Sequence, residues 1–211
     1  MKTLRKYFTI MLCLLATAFT MASCLNDDND DTSSRPTEQQ AQIYLSAMSG
    51  TYHSGKAIVV TSDENKEYAD SADVSWTVTA LDSMMYSQFP VKLLKNMIES
   101  DVQLQTALDS AETQDMNFKV IPESYSTDYY SFDCYPMKKL TFTLNYGNAD
   151  HNIVVNFTNY EALDNSGYYS IGFYDPSSYK MLYYVLVYNI SVDGTEIGIR
   201  NLPIKYYATK S

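Results

Sequence analysis

The chain has 211 residues, a net charge of −10, 20 tyrosines against 7 glycines, and three cysteines. Such an acidic excess disfavours nucleic acid and anionic lipid surfaces, whose phosphates demand basic patches, and no Lys/Arg cluster longer than Lys138-Lys139 exists to supply one. Nucleic acid is excluded as a partner.

In chain order, Lys2, Arg5 and Lys6 form a cationic head, and an apolar run from Tyr7 to Met21 is broken only by Thr9, Thr17 and Thr20. Small residues then lead to a cysteine in Met21-Ala22-Ser23-Cys24. This is the charged region, short apolar core and cleavage site of a secretory signal. Its 15 residues fall short of the roughly 20 that a membrane span needs. Ala22-Ser23-Cys24 resembles the lipobox of bacterial lipoproteins, with Met21 where Leu is usual. The resemblance implies that signal peptidase II removes residues 1–23 and that Cys24 is lipidated. Three acyl chains at about 0.8 kcal/mol per buried methylene make a permanent anchor, so the membrane is one partner, reached through the N-terminal lipid.

Asp27, Asp28, Asp30 and Asp31 follow within seven residues of Cys24. They resemble the acidic export signal that Bacteroidetes-type lipoproteins use to reach the outer face of the outer membrane. A solvated acidic spacer is the plainer explanation. An EF-hand does not fit, because its glycine and spaced glutamate are missing. Residues 24–36 read as an acidic flexible tether, and the net charge becomes −13 once the three basic residues of the head are gone. With Cys13 in the signal and Cys24 lipidated, only Cys134 stays in the folded part. No internal disulfide is available there, and residues 37–211 must hold as one β-rich domain through their core.

Thr37 and Gln40 match a capping box, Ile43, Tyr44, Ala47 and Met48 recur at helical spacing, and Gly50 suits a C-cap. A helix is predicted over 38–48. Ala57–Thr61 and the alternating Val74, Trp76, Val78 and Ala80 predict a hairpin. From Pro90 to Ala111 the spacing is helical, with Asp101 placed to cap the second of two short helices. Met116–Ile121 reads as a strand. Leu140, Phe142, Leu144 and Tyr146 alternate up to the turn Gly147-Asn148-Ala149-Asp150, and Ile153, Val155 and Phe157 return. Ile171 and Phe173 precede the turn Asp175-Pro176-Ser177-Ser178. Leu182, Tyr184, Leu186, Tyr188, Ile190 and Val192 predict one face of a single long strand, ended by the hairpin signal Asp193-Gly194. Ile197 and Ile199 lead back toward Tyr206-Tyr207. Short turns favour antiparallel neighbours, so the predicted fold is mainly β with minor α. It is an antiparallel meander closed into a barrel or folded into a sandwich, with helices at about 38–48 and 90–111.

Residues for chemistry are few. His53 and His151 stand about a hundred residues apart beside turns, and no Gly-x-Ser-x-Gly elbow, zinc-ligand spacing or Gly-x-Gly loop occurs. Cys134 sits in an aromatic run, which predicts a buried apolar thiol. No cofactor or metal is expected. Tyr125, Tyr129, Tyr130 and Tyr135 crowd one stretch, and Tyr168, Tyr169, Tyr174 and Tyr179 another. Tyrosine planes stack on sugars and anchor interfaces at low entropic cost, although rings that merely close a sheet account for the same pattern. Tyr129, Tyr130, Tyr135, Tyr168, Tyr169 and Tyr174 are the candidate ligand contacts. Asp70-Ser71-Ala72, Asp82-Ser83-Met84 and Asp109-Ser110-Ala111 resemble the O-glycosylation triplet of Bacteroidetes, which would modify Ser71, Ser83 and Ser110. Asn156-Phe157-Thr158 and Asn189-Ile190-Ser191 match the N-glycosylation pattern but fall within predicted strands.

The lipobox, acidic tether, capped helix, Met48-Ser49-Gly50-Thr51-Tyr52 and β-rich body together resemble an uncharacterised family of Bacteroidetes surface lipoproteins, a domain of unknown function. That resemblance implies a location and no catalytic residue. The expected function is a non-enzymatic binding or accessory module on the outer membrane, taking a glycan or protein ligand. The alternatives are a lipocalin-like carrier of a small apolar ligand and a two-carboxylate hydrolase, for which Asp and Glu are plentiful.

Overall fold

A computed structural model of the protein describes residues 36–60, 68–125, 128–157 and 171–211. The signal, Cys24, the aspartates of the tether, and Tyr168 and Tyr169 lie outside the described residues. Helix α1 spans Glu38–Met48, as the capping box predicts: the Thr37 hydroxyl accepts from the Gln40 N–H, and the Gln40 side chain accepts from the Thr37 N–H. The chain then enters β1 (Gly50–Val60), β2 (Tyr68–Thr79) and β3 (Met84–Phe89). A 3-10 helix (Val91–Asn96) and helix α2 (Val102–Asp109) follow, α2 capped by the Asp101 carboxylate on the Leu104 N–H. Next come β4 (Gln114–Tyr125), β5 (Tyr130–Pro136), β6 (Leu140–Tyr146), β7 (Ala149–Phe157) and β8 (Ile171–Asp175). Four strands complete the order: β9 (Lys180–Val185), β10 (Val187–Val192), β11 (Thr195–Ile197) and β12 (Ile204–Lys210).

Eight strands close an antiparallel barrel in the order β1-β12-β9-β8-β5-β4-β3-β2, so the alternative of a sandwich falls away. Two excursions leave one end of it. The hairpin β6–β7 departs between β5 and β8, the hairpin β10–β11 between β9 and β12, and they join as a four-stranded sheet β11-β10-β7-β6. The single long strand expected across 182–192 is therefore two strands in two sheets. Its buried residues are Met181, Tyr183 and Val185 in the barrel and Val187 and Ile190 in the second sheet, the opposite phase over β9 to the face predicted. The chain leaves the barrel at Leu186, and the tyrosines that alternate on both sides of that point hide the change. Asp193-Gly194 makes the expected hairpin, with φ of 50° and 81°.

An eight-stranded barrel is just wide enough for side chains to fill, and aromatic residues fill this one. Trp76 stacks on Tyr52 with ring centroids 5.3 Å apart and meets Tyr183 edge-on at 5.2 Å. Tyr183 stacks on Tyr206 at 4.6 Å. The Trp76 Nε1–H donates to Met181 Sδ at 3.4 Å. Helix α1 closes one end, burying Tyr44, Leu45 and Met48 and accepting the Tyr52 hydroxyl at Met48 O, 2.7 Å away. The other end is closed by Phe89, Val91, Leu93, Leu94, Leu104 and Leu108, which share one core with Ile153, Val155, Phe157 and Ile190 of the second sheet.

Candidate functional site

The structure brings part of the two tyrosine crowds together. Tyr130 on β5 faces Tyr174 on β8, with ring centroids 6.0 Å apart, and Tyr129 lies edge-on to Phe173 at 5.6 Å. Much of this cluster is internal, however. Tyr174 is buried, and Tyr130 stacks on Tyr44 of α1 at 4.6 Å. Both rings serve to seat the helix on the barrel end. Tyr129 is exposed, and Tyr135 sits half-buried on the barrel wall opposite Lys119. The tyrosine stretch 129–135 is mostly strand β5.

Lys210, which no motif marks, completes that end. Its Nζ donates to Ala47 O at 2.7 Å and Ser49 O at 3.2 Å, and it lies over the rings of Tyr174 and Tyr179. It shares the helix end with Gly50, which follows the cap residue Ser49 with a φ of 137° and opens β1. A cation is favourable there, where carbonyls at a helix C-terminus lack partners.

The better-formed surface lies on the outer wall of β1–β4. Thr51, Thr77, Tyr86 and Asn117 stand on one rung, paired in register across the four strands. Gln88 faces Asp115 on the next rung, and Ser75 of β2 lines the same groove, whose volume is about 340 Å³. Tyr86 is 42 % exposed. Its hydroxyl donates to Asp82 Oδ2 at 2.9 Å. Asp82 is itself fixed in the β2–β3 turn by hydrogen bonds from the Thr79 hydroxyl and the Met84 N–H. These contacts, Thr79 first and then Tyr86 and Met84, outweigh desolvation and hold the Asp82 carboxyl below its ordinary range, while the same bond raises the Tyr86 phenol. Lys119 Nζ donates to Asp82 O at 2.8 Å. The aromatic ring is therefore oriented before any ligand arrives, with hydroxyl, amide and carboxylate groups around it.

Tyr86 escapes a sequence reading because Ser87, a polar residue, occupies a buried position between Met85 and Phe89. That interrupts the apolar alternation which would mark β3. The signal left was the pair of turn residues Asp82-Ser83 just ahead of it.

Residues 47–192 match the family described as Domain of unknown function (DUF4840). The chain belongs to this family. The DUF4840 match covers most of the barrel, the groove and part of the second sheet, and ends at Val192, so the barrel-closing strand β12 lies beyond it. Comparison with curated proteins and with solved structures gives no match.

The remaining candidates are scattered. Ser71 is half-buried on β2, Ser83 sits in the β2–β3 turn with φ of 55°, and Ser110 ends α2. Asn156 Nδ2 donates to Asn189 Oδ1 at 2.6 Å, so the two N-glycosylation matches face each other across β7 and β10. His53 is exposed. His151 Nδ1 lies 2.8 Å from Asp193 Oδ2, and its ring stacks on Tyr146. Cys134 is fully buried beside Tyr183 and Tyr206, and burial pushes its thiol pKa well up. Among the described residues no group of three His, Cys, Asp or Glu side chains is placed to hold a metal ion.

Proposed function

We propose that the mature DUF4840 protein hangs from the outer membrane by lipid on Cys24 and works at the cell surface as a non-enzymatic glycan-binding module. The observation that carries the binding reading is Tyr86, pinned by Asp82 in an open groove of polar side chains. A sugar offers an apolar C–H face to an aromatic plane and hydroxyls to the groups around it, and a pre-oriented ring loses little entropy on binding. The lowered pKa of Asp82 favours its ionised form, which holds no proton to give, whereas a glycosidase acid needs a raised pKa to stay protonated. The barrel axis is taken up by Trp76, Tyr183 and Tyr206, which favours a ligand on the wall over cargo inside. The tether and lipobox support the location by resemblance.

The test is made on intact cells. Cells producing the wild type, Cys24→Ala or Tyr86→Ala are labelled with palmitate and then offered fluorescent polysaccharides. Expected are palmitate on all but Cys24→Ala, and polysaccharide on wild-type cells with much less on Tyr86→Ala cells. Wild-type cells that take up no more polysaccharide than cells lacking the protein would overturn the reading.

A further inference from the structure

We infer that the groove on β1–β4 takes an internal segment of an extended, uncharged polysaccharide lying across the strands; this rests on the glycan-binding reading above. The direction follows from the rungs. Thr51, Thr77, Tyr86 and Asn117 run perpendicular to the strands through four neighbours. At about 4.8 Å per strand that row is about 14 Å long. Gln88 and Asp115 run parallel to it two residues further along, about 7 Å away. The two parallel rows of hydrogen-bonding side chains offer contacts along the length of a sugar chain rather than at a single terminal unit. A monosaccharide would touch only one or two of the four positions.

The preference for uncharged sugars follows from the electrostatics of the same wall. Asp115 lies in the groove and Asp82 at its rim, and both disfavour uronate, sulfate or sialate groups by like-charge contact. Lys119, two residues along β4 from Asn117, is directed to the Asp82 carbonyl. The whole chain, at −10, adds a repulsive field. By contrast, the Asn117 and Gln88 amides and the threonine hydroxyls both donate and accept, as sugar hydroxyls do.

The experiment uses the full chain in non-ionic detergent. Retardation is measured in gels holding dextran, mannan or xyloglucan, and in gels holding polygalacturonate or hyaluronan. A series of neutral oligosaccharides from one to six units is then titrated. At least one neutral polymer should retard the protein, and Tyr86→Ala should weaken that by on the order of 3- to 10-fold. Asn117→Ala, which leaves the ring in place, should weaken it too. Affinity should climb with oligosaccharide length until the row is covered and then level off. Tyr86-dependent retardation by the anionic polymers alone would overturn the inference while leaving a glycan-binding module standing. Equal affinity for one unit and for six would overturn the across-strand placement and leave the module intact. No retardation by any polymer would sink both.

Discussion

Phe132 on β5 lies flat against Gly172, its cross-strand partner on β8, so closely that a Cβ on Gly172 would stand 2.2 Å from two of the ring carbons. The ring occupies the space a side chain would take, and it is fully buried. Gly172→Ala is therefore an overpacking change, with an expected cost of about 1–3 kcal/mol. The double variant Gly172→Ala with Phe132→Leu should lose less than the sum of the two single losses, since the two residues share one space. Denaturant midpoints of the four proteins check this; strict additivity would mean the contact is not the cause.

The Tyr206 hydroxyl lies in the barrel core without a hydrogen-bond partner among the described residues, on a side chain that is fully buried. Burial, and then Cys134, raises its pKa. A buried polar group left unpaired costs about 1–3 kcal/mol. Tyr206→Phe removes the oxygen and keeps the stack on Tyr183, so it should stabilise the fold by about 1 kcal/mol. The readout is a higher urea midpoint at unchanged slope, and a lower midpoint would contradict the assignment.

Lys95 ties three elements together, reaching Asp70 on β2 at 3.0 Å and Asp109 at the end of α2. Partial desolvation pulls the Asp70 pKa up, but hydrogen bonds from Lys95 and the Ser71 N–H outweigh it, and the carboxyl sits below its ordinary 3.8. A group depressed in the folded state adds stability above its unfolded pKa and loses it as pH falls through the folded one. The contribution of Asp70 should thus be intact at neutral pH and decline progressively as pH falls below about 4, through the lowered folded value. Acid titrations of wild type and Asp70→Asn should differ at pH 7 and draw together as pH falls below about 4. A constant gap across that range would show that the charge plays no part.

Lys210 joins the end of β12 to the last turn of α1. Lys210→Met keeps the apolar stem and removes the charge, leaving the carbonyls of Ala47 and Ser49 without that donor. A hydrogen bond to a charged group is worth about 1.5–3 kcal/mol, and much of the loss should fall on α1. Amide exchange in residues 41–48 should quicken well beyond that in β9 or β12. Uniform acceleration would place the effect in the barrel instead.

What the sequence made legible depended on how local the determinant was. The Thr37–Gln40 capping box, the Asp101 cap and the Asp193-Gly194 turn act within three or four residues, and each stands where it was predicted. The antiparallel meander followed from the short turns. The second sheet did not, because β7 meets β10 through pairing between segments some thirty residues apart, and nothing in Val187–Val192 alone distinguishes it from β9. The candidate site was legible only in kind: aromatic residues were expected at a binding surface, yet Tyr130 and Tyr174 support the fold. Tyr86 gains its place from three other strands and from Asp82, and no single segment reveals that arrangement.

Closure of the barrel rests on β1 pairing with β12, whose residues Tyr52 and Lys210 lie opposite each other. The first described strand thus finds one of its two neighbours only when the last described strand, far along the chain, is in place. Until then β1 presents a free edge, the kind of template on which chains aggregate, and joining segments so distant is slow. The protein's vulnerable interval is its folding rather than its working life. Slower production, or a holding chaperone, should raise the yield of soluble protein more than added native stability would.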